Sequence, residues 1–243
     1  EAGTLVFDSL TVLDSEGKVQ PAAIESWTVN KDSTEFVLHL RKGLSYSDGT
    51  AASAEDLKKS IEVLGKAQFR SYMSKLDHID IIDKTSVKVV MKSPFLFLVD
   101  ELEKIQLIPA KFLQEDGSIT EYIGSGPYLL KEYEKDVKAV LVKNPTYWDK
   151  KPYKMETLIW QVIPDGEARK LALQAGQVDV IGITEHYAGS IPLTVSYELS
   201  NSKEFKKLLQ DTKTYTIVFC VGLNYKKDFL KDTALRHALQ YVI

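Results

Sequence analysis

Arg70 and Tyr72 stand in the segment Gln68-Phe69-Arg70-Ser71-Tyr72, directly after a stretch with helical patterning. A guanidinium is a planar fork of donors, charged at every relevant pH, and it pairs with a carboxylate through two parallel hydrogen bonds. A tyrosine adds a flat face and a hydroxyl, a combination common in the walls of small-molecule clefts. An ordinary surface cation and a core-packing tyrosine fit the same two positions. The chemistry these residue types suggest is the binding of a small anionic solute.

Catalysis has little to work with. No Gly-x-Ser-x-Gly elbow, P-loop, His-Glu-x-x-His or Cys-x-x-Cys occurs, so no enzyme is expected. His39, His78, His186 and His237, with one cysteine, lack the spacing of a site built from protein ligands, and a bound metal would arrive already chelated. Cys220 excludes an intrachain disulfide and lies in the apolar run Ile217-Val218-Phe219-Cys220-Val221, where a buried, inert thiol is expected. The acid pairs Glu55-Asp56 and Asp100-Glu101 are expected to cap or solvate helices. No catalytic residue, protein-held metal or cofactor is expected.

With a net charge of -3 over 243 residues and its lysines dispersed, the chain has no basic field to hold a phosphate backbone, which excludes nucleic acid as a partner. Its longest apolar run, around Pro94 to Val99, is far short of the roughly 20 residues that span a bilayer. No charged and apolar leader opens the sequence; either the protein is cytosolic or a targeting segment was removed before residue 1. A hydrophobic content of 44% supports a substantial core in one large or two small domains.

The elements that would position these residues are mixed. Thr4 to Leu13 is strand-like, and Glu35 to Leu40 alternates with Phe36, Leu38 and Leu40 on one face. Ser53 caps a helix running to Lys66, with Leu57, Ile61 and Leu64 at helical spacing. Ile79 to Met91 is predicted to be a hairpin turning at Asp83-Lys84, and Leu96 to Leu102 a short helix. Strands follow at Tyr128 to Tyr133, Ala139 to Lys143 and Thr157 to Ile163, with a helix from Glu167 to Ala175 stopped by Gly176, and after Val178 to Ile183 the chain is loop-rich to Pro192. Beyond Pro192 a helix at Ser202 to Leu209, a strand at Tyr215 to Leu223 and a last helix from Thr233 are expected. The fold class is α/β in the broad sense, a mixed α+β arrangement without regular βα units.

Several phrases, in order, resemble the solute-binding family that serves peptide and nickel ABC importers, solute-binding protein family 5. They are Val6-Phe7-Asp8-Ser9-Leu10, Pro21-Ala22-Ala23-Ile24-Glu25-Ser26-Trp27, Phe36 to Gly43, Ser47-Asp48-Gly49-Thr50 and Ser53-Ala54-Glu55-Asp56. Later come Gly124-Ser125-Gly126-Pro127-Tyr128, Asn144-Pro145-Thr146-Tyr147-Trp148, Ile163-Pro164-Asp165, Gln174 to Asp179 and Leu235-Arg236-His237-Ala238-Leu239. Each phrase alone is weak; their number, order and spacing make the resemblance specific. Members of that family run to about twice this length, so the sequence is expected to be an N-terminal fragment.

The resemblance implies a type II periplasmic-binding-protein-like fold, of which this chain would be one lobe. Residues 4–108 would be mostly a domain II-like unit, residues 109–243 the larger part of domain I, and domain III would be absent. The family's first strand, ahead of Thr4, and its C-terminal return are missing too, which could leave an unpaired sheet edge. In nickel-type relatives an arginine with an aromatic nearby occupies the place of Arg70 and Tyr72 and faces a carboxylate-bearing chelate. Lys104 is the candidate for a second cation, and His186 and Tyr187 fall in a loop that relatives place near the cleft. Trp27 and Trp148 belong to recurring phrases that imply core packing. The implied function is capture of a metal chelate or short peptide outside the cytoplasmic membrane for an ABC permease, the membrane being reached only through a removed signal or lipid anchor. The piece itself would be monomeric. A signalling or protein-interaction module built on the same fold is the alternative.

Overall fold

The computed structural model describes residues 3–150, 154–181, 198–199 and 201–202. Residues Glu1–Thr184 form one compact unit and Glu185–Ile243 another.

The first unit opens with a helical turn, α1 (Gly3–Val6), followed by β1 (Thr11–Leu13) and β2 (Val19–Pro21), which pair antiparallel. This departs from the strand expected over Thr4 to Leu13. Phe7 N–H closes onto the Gly3 carbonyl at 2.9 Å, and from Asp8 onward the backbone bonds to the segment before position 108, Leu10 N–H to Ile105 at 2.8 Å and Leu107 N–H to Asp8 at 2.8 Å. A short apolar run satisfies either periodicity, and here Val6, Phe7 and Leu10 are all buried without strand geometry before Ser9.

Four antiparallel strands make the larger sheet: β3 (Ile24–Val29), β4 (Glu35–Leu40), β5 (Leu76–Asp83) and β6 (Ser86–Met91), in the order β3-β4-β6-β5. The alternation read from the sequence fixes its inner face. Phe36, Leu38 and Leu40 of β4 and Val87, Val89 and Met91 of β6 are buried, with Leu38 opposite Val87 and Phe36 opposite Val89. Asp83 ends the hairpin by accepting Thr85 N–H at 2.8 Å, as its place in the sequence predicts.

The helix expected after Ser53 forms as α2 (Ala54–Lys59), a π-helical segment (Ser60–Leu64) and a last turn, α3 (Gly65–Ala67). Ser53 and Asp56 build a capping box. Leu57, Ile61 and Leu64 face inward as their spacing predicts, and α2 packs over β5 and β6. A 3-10 turn (Ser71–Ser74) leads to β5, and after β6 the short α4 (Leu98–Glu101) runs into another 3-10 turn (Leu102–Lys104).

The second sheet is β7 (Tyr128–Glu134), β8 (Lys138–Lys143) and β9 (Thr157–Gln161), antiparallel in that order. Helix α5 (Gly166–Gln174) follows, capped by Asp165, whose carboxylate accepts Ala168 N–H at 2.7 Å, and ended at Gly176 with φ 68°. Residues 178–181 form no strand. Gly124 and Gly126 are required by close approach: a Cβ at either would strike the carbonyl of Val6, to which Gly126 donates at 2.8 Å. One core cluster runs from Val6 through both sheets to Leu141, across position 109. Among the described residues no helix is long and apolar enough to cross a membrane.

Candidate functional site

The segment that carries Arg70 is set by the way its helix ends. Phe69 turns the chain out of α3 with φ 51°, a left-handed conformation rarely adopted by bulky residues. Arg70 N–H then bonds back to the Gly65 carbonyl at 2.8 Å, and its own carbonyl starts the next turn by accepting Met73 N–H at 3.1 Å. The result is a tight corner with the Phe69 ring 94% exposed at its tip. A large aromatic held outward in a strained backbone is the kind of outlier that accompanies function.

Arg70 lies beside that tip. Its Nη2 pairs with Glu101 Oε2 at 2.7 Å, both side chains being 24% exposed, and Ser71 Oγ donates to the other Glu101 oxygen at 3.1 Å. Arg70 Nε is buried and has no acceptor, so Glu101 does not use the full fork. The sequence predicts only a capping or solvating role for Glu101; instead it reaches across to the corner, with Leu96 and Phe97 exposed just ahead of α4.

Tyr72 corrects the expectation of an exposed cleft residue. Its side chain is fully buried within the core, and its hydroxyl donates to the Ile61 carbonyl at 2.7 Å inside the π-helical segment. Burial raises the phenol above its ordinary pKa, which keeps it a neutral donor. Within the 3-10 turn Ser71–Ser74 residue 72 is buried, while the side chain of Arg70, at the turn's N-cap, remains partly exposed. Tyr72 thus holds the corner in place and offers no surface to a ligand.

Lys104 is not joined to Arg70; its ammonium pairs with the neighbouring Glu103 at 2.7 Å. His186, Tyr187 and Cys220 lie outside the described residues. Among those described, no cluster of His, Cys, Asp and Glu could hold a metal ion.

Two further features lie apart from the corner. A hollow of about 410 Å³ is walled by Tyr122, Leu130, Tyr133, Lys138, Trp160 and Val162, with Tyr122 and Tyr133 tilted at 6.0 Å. Neither Arg70 nor Lys104 lines it. Asp8, 5% exposed, accepts hydrogen bonds from Tyr147 Oη at 2.9 Å and Trp148 Nε1 at 2.8 Å, while the Arg41 guanidinium stacks 3.8 Å from the Trp148 ring centre. Burial pushes the Asp8 carboxyl up to about 6 against the pull of Trp148 and Tyr147. This knot ties the N-terminal segment to the Asn144–Trp148 phrase and gives the tryptophan the structural role expected of it.

The chain is similar to proteins of matching architecture. The nickel-binding periplasmic protein of Escherichia coli K12 is 25% identical over 253 aligned positions, covering 100% of this chain and 47% of that protein. The glutathione-binding protein GsiB of the same organism is 24% identical over 245, covering 98% of this chain and 46% of GsiB. The chain thus spans about half the length of these curated relatives. Among solved structures, NikA from Brucella suis in complex with Fe(III)-EDTA superposes with a TM-score of 0.70 at 25% identity, over 85% of this chain and 42% of NikA. NikZ from Campylobacter jejuni in complex with Ni(L-His) shares the fold at a TM-score of 0.75 and 23% identity, over 99% of this chain and 48% of NikZ. These partial overlaps match one lobe of a type II binding protein. The model for bacterial extracellular solute-binding proteins, family 5 (middle), matches residues 18–243, and the chain belongs to that family of solute-binding proteins, which are not enzymes.

Proposed function

We propose that this chain is part of the substrate-binding component of an ABC importer, working outside the cytoplasmic membrane and passing a small solute to a permease. The solute is a metal chelate or a short peptide bearing a carboxylate, gripped between this lobe and a second one that closes on it. Residues 4–108 would supply the domain II-like part and residues 109–243 most of domain I. The observation that carries this reading is the Phe69–Arg70 corner: a partly exposed guanidinium beside a fully presented aromatic ring. On sequence grounds His186 and Tyr187 are further candidates for ligand contact.

Calorimetry on the natural protein, with nickel(II)–L-histidine and glutathione as probes, tests the anchor. Arg70→Ala should remove a charge-assisted pair of about 1.5–3 kcal/mol, hence roughly ten- to hundredfold in affinity. Arg70→Lys should recover only part, since an ammonium keeps the charge and loses the fork. Unchanged affinity of Arg70→Ala for every probe the wild type binds would refute the assignment.

A further inference from the structure

The hollow against the second sheet lies apart from the Arg70 corner, and three of its walls are aromatic. Strand pairing sets their spacing. Tyr133 of β7 stands opposite Ala139 of β8, and Ala139 stands opposite Trp160 of β9, so the three side chains share one face of the sheet. Ala139, small and buried, separates the two rings, whose strands are two spacings apart, about 9.5 Å. Tyr122 closes a third side, its ring tilted at 42° to Tyr133 at 6.0 Å and backed by the buried Phe7 at 6.4 Å. Tyr122 and Tyr133 are both exposed and present aromatic surface to a guest.

The mouth carries charge of one sign. The hairpin turn between β7 and β8 places Glu134 and Asp136 there, Asp136 with φ 60°, a left-handed conformation that aspartate tolerates. The turn is fastened by Val137 N–H, which donates to the Glu134 carbonyl at 3.1 Å, and by Val162 N–H, which donates to the Val137 carbonyl at 2.8 Å. Lys138, the only cation among the described residues lining the hollow, is paired with Glu132 at 2.9 Å. Its charge is thereby offset, and the two carboxylates leave the mouth anionic.

We propose that this hollow is a binding site for a quaternary ammonium, a small organic cation whose nitrogen carries only alkyl groups. Ring faces are negative and attract a cation within about 6 Å of the ring centre, and a cation seated over Ala139 lies about 5 Å from the strands of Tyr133 and Trp160. Alkylation matters because the inner walls, Leu130 and Val162 among them, are apolar. An N–H donor brought there would lose its water without gaining an acceptor, whereas an alkylated nitrogen has no donor to lose. The volume of about 410 Å³ lies in the range of small-molecule sites. None of these residues belongs to the Arg70 corner, so this site is independent of the solute anchor.

Calorimetry and proton NMR on the natural protein test this with choline, its uncharged carbon isostere tert-butylethanol, and ethanolamine. Choline should bind about tenfold or more tighter than either of the others, its N-methyl resonance moving upfield under the ring currents. Tyr133→Leu, shown by thermal melting to be folded, keeps apolar area and loses the ring face. It should weaken choline about fivefold or more while leaving the isostere within about twofold. The double variant Glu134→Gln and Asp136→Asn leaves the rings intact and should weaken choline about threefold or more at low salt. Choline binding should survive Arg70→Ala; its loss there would place the cation at the corner and overturn the assignment. Equal affinity for choline and its isostere, unchanged choline affinity in Tyr133→Leu, or no choline binding at millimolar concentration overturns it as well.

Discussion

The hydroxyl of Tyr72 occupies the space in which a side chain at position 65 would begin: a Cβ built on Gly65 would collide with both the oxygen and the ring carbon that bears it. Glycine is required there by packing, since its φ is ordinary. The absence of a Cβ lets the phenol slide over the last turn of the helix and reach the Ile61 carbonyl. Residues 68–70 are thereby pinned between the helix end and the following 3-10 turn.

Gly65→Ala should therefore destabilise the protein by about 1–3 kcal/mol through overpacking against a ring with nowhere to move. Tyr72→Phe, which keeps the ring and loses the hydrogen bond, should cost about 1 kcal/mol. The two changes should be non-additive, because both act on the same contact. Urea denaturation of the two single variants and the double variant checks this. A Gly65→Ala variant as stable as wild type would show that the corner is not held this way.

Asp56 links the capping box to the crossover after Ile108. Its carboxylate accepts Ser53 N–H at 2.9 Å and Ser53 Oγ–H at 2.8 Å through one oxygen and Ala110 N–H at 2.6 Å through the other. Ser53→Ala removes a cap worth about 1 kcal/mol. Asp56→Ala also strands the Ala110 amide, and should cost roughly 2–4 kcal/mol. Equal losses in the two variants, measured by denaturation, would exclude a role for Asp56 beyond the cap.

Some of this organisation is legible in the sequence. Phe36-x-Leu38-x-Leu40 and Val87-x-Val89-x-Met91 fix strand and face at once, because a period of two has one solution when one face is buried. Ser53 three residues before Asp56 announces its helix just as directly. The N-terminal apolar run does not, since a few hydrophobic residues fit a helical turn as well as a strand. The site is only half visible. Arg70 has the chemistry to be noticed, but its partner Glu101 is 31 residues away in an acidic pair that resembles an ordinary helix start, and no local pattern joins them. Tyr72 has the residue type of a cleft wall, and the sequence does not show that a 3-10 turn rotates it onto Gly65.

The buried Asp8 gives the protein a pH dependence of defined sign. Its carboxyl is raised from 3.8 to about 6, so the folded state takes up a proton that the unfolded state releases between about pH 4 and 6. Its contribution to stability is greatest below the unfolded value and is lost as pH rises toward 6, by an amount on the order of 2–3 kcal/mol. The exposed Asp14, Asp48, Asp83 and Asp116, all lowered by hydrogen bonds, act with opposite sign and only below about pH 4. Denaturation at intervals from pH 4 to 7 should show Asp8→Asn losing most of the falling slope of the wild type in that window, a smaller part remaining from Glu62, whose carboxyl burial also raises. Parallel profiles for the two proteins would mean that Asp8 titrates normally.

Native mass spectrometry of the natural protein, purified under non-denaturing conditions and without added ligand, tests solute capture most directly. Capture predicts a noncovalent adduct of low mass that carries a carboxylate, leaves on unfolding, rebinds to the stripped protein, and fails to rebind to Arg70→Ala. A protein that copurifies with nothing, and that nickel(II)–L-histidine, glutathione and trialanine all fail to stabilise against heat, would contradict it.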